Sequence, residues 1–187
     1  SATLQSAQSI AALRSQGQRI AHFGFGQSPF ALPQLLVDAL IANAHENSYF
    51  PVSGLPALRE AVVNHYQCYY NYLFTKDSVQ ITPGSKSAIF NLLFCLQGPL
   101  LLPSPSWVSY APQAQLLGKD VIALPTIFSD RYLLQPSTLR SVCERLGKSG
   151  QKILLLNSPN NPTGQQYPQS LLNALAAVCQ EYGVIVI

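Results

Sequence analysis

Methionine is absent from all 187 residues, and the sequence begins with Ser1. The last four residues, 184–187, are an apolar Val-Ile-Val-Ile run that predicts a buried strand. Domains rarely end on a buried strand that nothing follows. We therefore expect the sequence to be the amino-terminal part of a longer protein, with its true start missing.

Charged residues are scarce as well, at 10% of the chain, with a net charge of +3 and no basic cluster. A nucleic-acid-binding or membrane-surface role would call for such a cluster, so neither is predicted. No apolar run is long enough to span a bilayer, and the first ten residues lack the pattern of a secretory signal. We expect a cytoplasmic protein, and the 48% hydrophobic content favours a large sheet covered on both faces.

Cysteine and histidine are few, and neither shows the spacing of metal ligands. No C-x-x-C pair occurs, and each cysteine lies in a segment with helical periodicity. The residues concerned are Cys68, Cys95, Cys143, Cys179, His22, His45 and His65. We predict buried free thiols in a reducing compartment, without disulfides and without a metal site.

Apolar segments alternate with amphipathic ones along most of the chain. Five segments predict strands, at 78–84, 100–102, 121–124, 153–156 and 184–187. Helical periodicity with one apolar face is clearest after Pro136 and over 171–182. This alternation predicts a three-layer α/β/α fold with a mostly parallel sheet. We divide the chain into an N-terminal segment, residues 1–45, and a larger domain, residues 46–187.

The sequence Asn-Ser-Pro-Asn-Asn-Pro-Thr-Gly, at 157–164, directly follows one of the predicted strands. Its two prolines fix φ and restrict the residues before them, so Asn160 and Asn161 are held in set directions. Ligands of open α/β sheets bind at the carboxyl ends of the strands. Residues 157–164 are therefore a candidate binding turn, and an ordinary strand-to-helix connection is the alternative.

The predicted strand segment 78–84 breaks at a turn, Pro83-Gly84, and Ser85-Lys86 then begins a helix. A helix amino terminus directs several unpaired backbone N–H groups and the positive end of the helix dipole towards one point. A phosphate is the natural ligand of that arrangement. The alternative is a capped helix without an anion, and no Walker sequence is present.

Five segments together resemble the class I/II aminotransferases, which are fold-type I enzymes that use pyridoxal 5′-phosphate. In chain order they are GQSPF at 26–30, SYFPVSGLPALREAV at 48–62, SVQITPGSK at 78–86, PSPSWVSY at 103–110 and NSPNNPTG at 157–164. The resemblance covers nearly all of the chain from Ile20 onward. It implies transfer of an amino group between an amino acid and a 2-oxo acid, by a homodimer.

The resemblance assigns cofactor contacts to six positions. It implies that Asn161 hydrogen-bonds the phenolic oxygen of the cofactor and that Trp107 stacks on the pyridine ring. Tyr49 would donate its hydroxyl to the cofactor phosphate of the neighbouring subunit. The phosphate itself would be held by Gly84, Ser85 and Lys86.

Two further positions, Gly26 and Tyr110, lie in the segments that carry the resemblance. Gly26 matches the glycine whose backbone contacts the substrate carboxylate, within a segment where Gly24 and Gly26 flank Phe25. Tyr110 is a weaker second candidate beside Trp107. Packing alone would also account for a lone tryptophan and for Tyr49 at the start of a helix.

Three groups that the family requires do not occur in this sequence. They are the aspartate that pairs with the pyridine nitrogen, the lysine that holds the cofactor as a Schiff base, and the arginine that binds the substrate carboxylate. No S-x-[SA]-K-like segment is present, so no catalytic residue is assigned. The resemblance therefore implies an enzyme family, but we expect this chain alone to be inactive.

Two alternatives stay open. Relatives of the same fold catalyse elimination or ring-closing reactions, so a pyridoxal-phosphate-dependent lyase or synthase is one. A non-catalytic effector-binding or dimerising module derived from the fold is the other. Arg59 is predicted to be solvated or to cap a helical face rather than to bind substrate. Four lysines are predicted to be solvated at helix or strand borders: Lys76, Lys119, Lys148 and Lys152.

Overall fold

The computed structural model describes residues 2–21, 26 and 28–187, with the side chains of residues 2–7 left aside. The chain divides into two compact units, Ser1–Tyr49 and Phe50–Ile187. In the first unit, helix α1 spans Ala2–Ser15 and helix α2 spans Gln34–Ala42. Pro33 immediately precedes α2, as its fixed φ and missing N–H favour.

The second unit contains a four-stranded parallel sheet in the order β2-β1-β3-β4. The strands are β1 (Leu100–Ser104), β2 (Val121–Pro125), β3 (Lys152–Leu154) and β4 (Val184–Val186). The helices are α3 (Pro56–Tyr70), α4 (Ser85–Cys95), α5 (Tyr110–Leu116), α6 (Pro136–Leu146) and α7 (Gln169–Tyr182). The predicted α/β class with a parallel sheet is confirmed.

The core lies on both faces of the sheet, because successive side chains of a strand point to opposite faces. Leu101 and Leu154 pack in one cluster with residues of α6 and α7. Leu100 and Ile153 pack in another cluster with residues of α4 and α5. Both strands are therefore buried on both sides, which explains why they are continuous apolar runs rather than alternating ones.

The strand predicted at 78–84 is wrong. Residues 76–78 form a short 3₁₀ turn, and the following segment is extended but pairs with no strand of the sheet. Its backbone bonds to a loop instead, through the N–H of Ile81 and the carbonyl oxygen of Ser53, 3.0 Å apart. Alternation of apolar and polar side chains predicts an extended segment correctly, but it does not show whether a neighbouring strand is present to pair with it.

Lys152 and two cysteines also differ from expectation. Lys152 is 1% exposed, because it begins a central strand, and its Nζ donates to the carbonyl oxygens of Ser149, Gly150 and Tyr182. Cys143 and Cys179 are buried free thiols as predicted, whereas the free thiols Cys68 and Cys95 are exposed. Cys68 lies on α3, which has no buried residue. Cys95 is the last residue of α4, in which only Leu93 is buried.

None of the described helices is both long and apolar enough to cross a lipid bilayer.

Candidate functional site

The amino end of α4 is shaped by a glycine. Gly84 has φ +89° and precedes the first helical residue, Ser85. A Cβ at Gly84 would meet no atom within 4 Å, so the positive φ rather than crowding favours glycine here. The backbone N–H groups of the first turn have no partner within the helix, and Ser85 and Lys86 are exposed. This end of α4 can therefore donate several hydrogen bonds to an anion.

The loop after β1 contacts this end of α4. Lys86 Nζ lies 5.0 Å from the centre of the Trp107 ring, and the Lys86 carbonyl oxygen accepts a 2.9 Å hydrogen bond from Gln113 Nε2. The Trp107 ring meets Tyr110 edge to face, with 5.3 Å between ring centres. The turn before α4 and the aromatic loop after β1 therefore form one continuous surface.

The loop 157–167 follows β3, which is the parallel neighbour of β1, so both loops leave the same edge of the sheet. Asn160 Nδ2 donates to Pro105 O at 3.3 Å and to Thr163 Oγ1 at 2.9 Å. The bond to Pro105 ties this loop to the one that contains Trp107.

Asn161, the residue assigned to the cofactor, has a different environment from Asn160. Its backbone N–H donates to Asn157 Oδ1 at 2.8 Å, whereas its side chain makes no hydrogen bond with any described residue. Asn161 is exposed, and its bond to Pro162 is cis. The Asn161 carboxamide is therefore free to bind a ligand at this edge.

A hollow of about 260 Å³, counting its open mouth, lies between these loops. Its walls include Tyr110, Tyr132, Tyr167, Asn157 and Asn160. Burial raises the pKa of the Tyr110 and Tyr167 hydroxyls, and the Leu134 N–H that donates to Tyr167 acts weakly in the other direction. Both phenols therefore stay protonated at neutral pH.

Sequence reasoning assigned no site role to four members of this hollow, Asn157, Asn160, Tyr132 and Tyr167. Asn157 and Asn160 belong to the motif that was recognised, but nothing local distinguishes them from Asn161. Tyr132 follows a loop, and Tyr167 lies three residues after the motif. A signal for Tyr167 was its place just before the N-cap of α7, where a hydrophobic residue often packs against the fourth residue of the helix.

Arg59 was predicted to be solvated or to cap a helical face, and the first of these alternatives is wrong. The Arg59 side chain is 12% exposed and donates hydrogen bonds to Ser53, Lys76 and Val79. The residue lies on the second turn of α3, opposite the segment that leads to Gly84. Tertiary packing of that segment, which sequence periodicity does not reveal, covers the guanidinium.

The structure brings three of the predicted elements together at one edge of the sheet: the turn 84–86, the loop with Trp107, and the loop 157–164. Tyr49 and Gly26 belong to the first unit, where both are exposed. Gly24 and Phe25 lie outside the described residues. The site assignments for all these positions remain predictions. Among the described side chains, no group of three His, Cys, Asp or Glu residues is placed to hold a metal ion.

Comparison with known proteins identifies relatives of the whole chain. A sequence model of the family described as aminotransferase class I and II matches residues 19–187. An aspartate aminotransferase from Geobacillus stearothermophilus is 30% identical, over 100% of this chain and 48% of the relative. An aspartate/prephenate aminotransferase from Thermus thermophilus is 31% identical, over 91% of this chain and 44% of the relative.

Solved structures agree with these sequence matches. The aspartate aminotransferase from Thermus thermophilus with maleate matches with a TM-score of 0.88 and 29% identity, over 100% of this chain and 49% of that one. The chain spans about half the length of the curated relatives it matches. This coverage agrees with the prediction that the sequence is part of a longer protein.

Proposed function

The chain belongs to the class I and II aminotransferases, and we propose that it is the amino-terminal half of an enzyme that transfers amino groups with pyridoxal 5′-phosphate. The substrates proposed are an amino acid and a 2-oxo acid. Support comes from the family match and from the names of the relatives over the full length of this chain. The observation that carries the proposal is the contact of Lys86 with Trp107, because it joins a phosphate-binding turn to an aromatic surface.

The donors at this edge fit the chemistry of the cofactor. A phosphate requires several donors at one point, which the amino end of α4 and the Ser85 hydroxyl supply. A flat heteroaromatic ring requires an apolar face, and the half-buried Trp107 provides one. When bound, pyridoxal phosphate supplies the electron sink for reactions at the carbon that bears the amino group.

Each residue has a separate role in this proposal. The backbone N–H groups of Ser85 and Lys86, after Gly84, bind the phosphate. Trp107 holds the plane of the ring, and the free carboxamide of Asn161 donates to the phenolic oxygen. The exposed Lys86 side chain lies over the indole, so its charge is available to a phosphate bound at the amino end of α4.

Tyr49 and Gly26 belong to the first unit, and the roles proposed for them rest on the family resemblance. Tyr49 is fully exposed, as is required of a hydroxyl that reaches the phosphate of a neighbouring subunit in a homodimer. Gly26 is exposed, and a Cβ there would meet no atom within 4 Å, so its backbone is accessible to a substrate carboxylate. We also propose a reducing, cytoplasmic setting, which the four free thiols support.

The 187 residues alone are proposed to be inactive, because no S-x-[SA]-K-like segment offers the lysine that the family needs. Purified chain mixed with pyridoxal phosphate, an amino acid and a 2-oxo acid should form no new amino acid above the rate of free cofactor. Turnover above that rate would mean that the chain contains a catalytic residue, contrary to this proposal.

Binding of the cofactor skeleton tests the proposed site directly. Pyridoxine 5′-phosphate and pyridoxine have no aldehyde, so neither forms adducts with surface lysines. The only tryptophan of the chain, Trp107, reports their binding by fluorescence. We expect the phosphate ester to quench this emission at about tenfold lower concentration than the alcohol, since charge-assisted bonds at the helix end favour it.

Two serine variants test whether the preference for the phosphate ester arises at the amino end of α4. Ser85→Ala should weaken binding of pyridoxine 5′-phosphate and leave binding of pyridoxine unchanged. Ser137→Ala removes an exposed hydroxyl from the first turn of α6 and should change neither. Equal binding of the two ligands by the unaltered chain would refute the phosphate site, and with it the proposed function.

A further inference from the structure

Arg59 joins helix α3 to two other segments of the chain, the turn 52–54 and residues 76–79, and the second of these leads to the candidate phosphate-binding turn. Its Nε donates to Val79 O at 2.9 Å, Nη1 to Ser53 Oγ at 3.0 Å, and Nη2 to Lys76 O at 2.5 Å. The nearest carboxylate oxygen, on Asp77, is 3.5 Å from Nη2, and that side chain is 84% exposed. The guanidinium is thus held mainly by neutral acceptors from the backbone and a hydroxyl.

The same segments are joined a second time just beyond Val79. The Ile81 N–H donates to Ser53 O at 3.0 Å, and Gln80 Nε2 donates to Val52 O at 2.7 Å. A Cβ built on Gly54, which has φ +98°, would lie 2.5 Å from the Ile81 side chain. Residues 79–81 are therefore held against the turn 52–54 by backbone bonds and by close packing.

Three residues separate this contact from the amino end of α4. The Thr82 hydroxyl donates to Gly84 O at 3.1 Å, and the Gly84 N–H donates to Thr82 O at 2.7 Å. A short, internally bonded connection of this kind transmits the position of Ile81 to Gly84 and Ser85. No strand of the sheet pairs with residues 79–81, so the sheet does not fix them.

We propose that Arg59 is a positioning residue for the phosphate site: its fork of hydrogen bonds fixes residues 76–81 and thereby sets where the first N–H groups of α4 point. The inference rests on the proposed function, and it adds a residue that touches neither phosphate nor ring. A planar guanidinium suits this role, because it donates in several fixed directions at once, which an ammonium group does not.

The test compares Arg59→Lys and Arg59→Met with the unaltered chain, using the two ligands named above. Both variants should lose about tenfold in affinity for pyridoxine 5′-phosphate, as small misplacements of binding groups do. Their affinity for pyridoxine, which lacks the phosphate, should stay within about twofold because the aromatic surface is untouched. Arg140→Met, which removes an arginine from the partly exposed pair with Glu181, is the control and should alter neither affinity.

Arg59→Lys keeps the positive charge but removes the planar set of donors, so it separates the effect of positioning from the effect of charge. If the arginine acted only through long-range attraction to the phosphate, the lysine variant would bind as the unaltered chain does, and the proposal would be wrong. The proposal also fails if both ligands lose affinity equally, because that is the result of general destabilisation. Loss of the phosphate preference in the unaltered chain itself would instead count against the proposed function.

Hydrogen exchange provides a readout that does not depend on ligand. In Arg59→Lys, peptides that cover 79–86 should exchange faster than in the unaltered chain, whereas peptides from β1 and β3 should exchange at the same rate. Unchanged exchange over 79–86 would overturn the proposal even if the methionine variant failed to fold.

Discussion

At the scale of single residues, Asn160 and Asn161 have different roles, which the sequence alone does not distinguish. The Asn160 side chain bonds Thr163 within its own loop and Pro105 in the loop that contains Trp107. The Asn161 side chain bonds no described residue and is exposed. One amide therefore builds the loop, and the other is available to a ligand.

Substitution of each asparagine by alanine should separate these tasks. Asn160→Ala should lower the free energy of unfolding by about 1–3 kcal/mol, because two partly buried bonds are lost. Asn161→Ala should change it by less than about 0.5 kcal/mol but weaken binding of pyridoxine 5′-phosphate. Urea unfolding and Trp107 fluorescence measure the two quantities, and the opposite ranking would contradict the division.

Gly98 is a second residue whose role is visible only in three dimensions. Its φ is +86°, and a Cβ there would lie 1.9 Å from the carbonyl oxygen of Gln151. This glycine allows the chain before β1 to pass close to the chain before β3. Any side chain would push the two apart.

Gly98→Ala should therefore destabilise the protein by about 3 kcal/mol, from backbone strain and the collision together. Gly118→Ala is the matched control, because Gly118 has φ +69° but no atom within 4 Å of its Cβ position. It should cost only about 1 kcal/mol, from the left-handed backbone alone. Equal losses in urea unfolding would mean that the close approach to Gln151 does not matter.

At the scale of elements, Tyr167 joins the chain before α7 to the chain before α6. The Leu134 N–H donates to its hydroxyl at 2.9 Å, and both residues are buried. The Tyr167 N–H in turn donates to Ser158 Oγ at 3.1 Å. Loop 157–167 is thus fixed at its end as well as at Asn160.

Tyr167→Phe should lower the free energy of unfolding by about 1–2 kcal/mol, because the Leu134 N–H is left buried without an acceptor. Tyr132→Phe removes a hydroxyl from the same hollow that bonds no described residue, so it should be close to neutral. Thermal or urea unfolding of the pair gives the comparison. A neutral Tyr167→Phe would contradict the role assigned to this hydrogen bond.

At the scale of the whole molecule, the core shifts the ionisation of its thiols. Burial, assisted by the neighbouring Cys143, raises the pKa of Cys179 from 9.0 to about 11. Burial also raises the pKa of Cys143, against the weaker opposite effect of Lys152 and Arg140. Both thiols keep their protons in the folded state at a pH where the unfolded chain has lost them.

Stability should consequently fall as the pH rises from about 9 to 11, since the unfolded state binds fewer protons over that range. Below pH 9 the contribution of Cys179 is fully present. Cys179→Ala should flatten the decline, whereas Cys68→Ala, which removes an exposed thiol, should leave it as it is. Urea unfolding at several pH values measures the slope, and an unchanged slope in Cys179→Ala would contradict the assignment.

The sequence by itself determined the order and kind of most elements. Four of the five predicted strands form, because a strand buried on both faces requires a continuous apolar run such as 100–102, which local composition shows. The glycine and proline turns at 84 and 157–164 were likewise readable, since their backbone preferences belong to the residues themselves. The family resemblance rests on the same short segments.

Only the tertiary structure decided what covers, bonds or crowds a given side chain. It buried Lys152 in a central strand, surrounded Arg59 with acceptors from Ser53, Lys76 and Val79, and left residues 79–81 without a strand partner. It also gave Asn160 the structural bonds and left Asn161 free. Burial and hydrogen bonding of this kind depend on segments that are distant in sequence, and no local pattern specifies them.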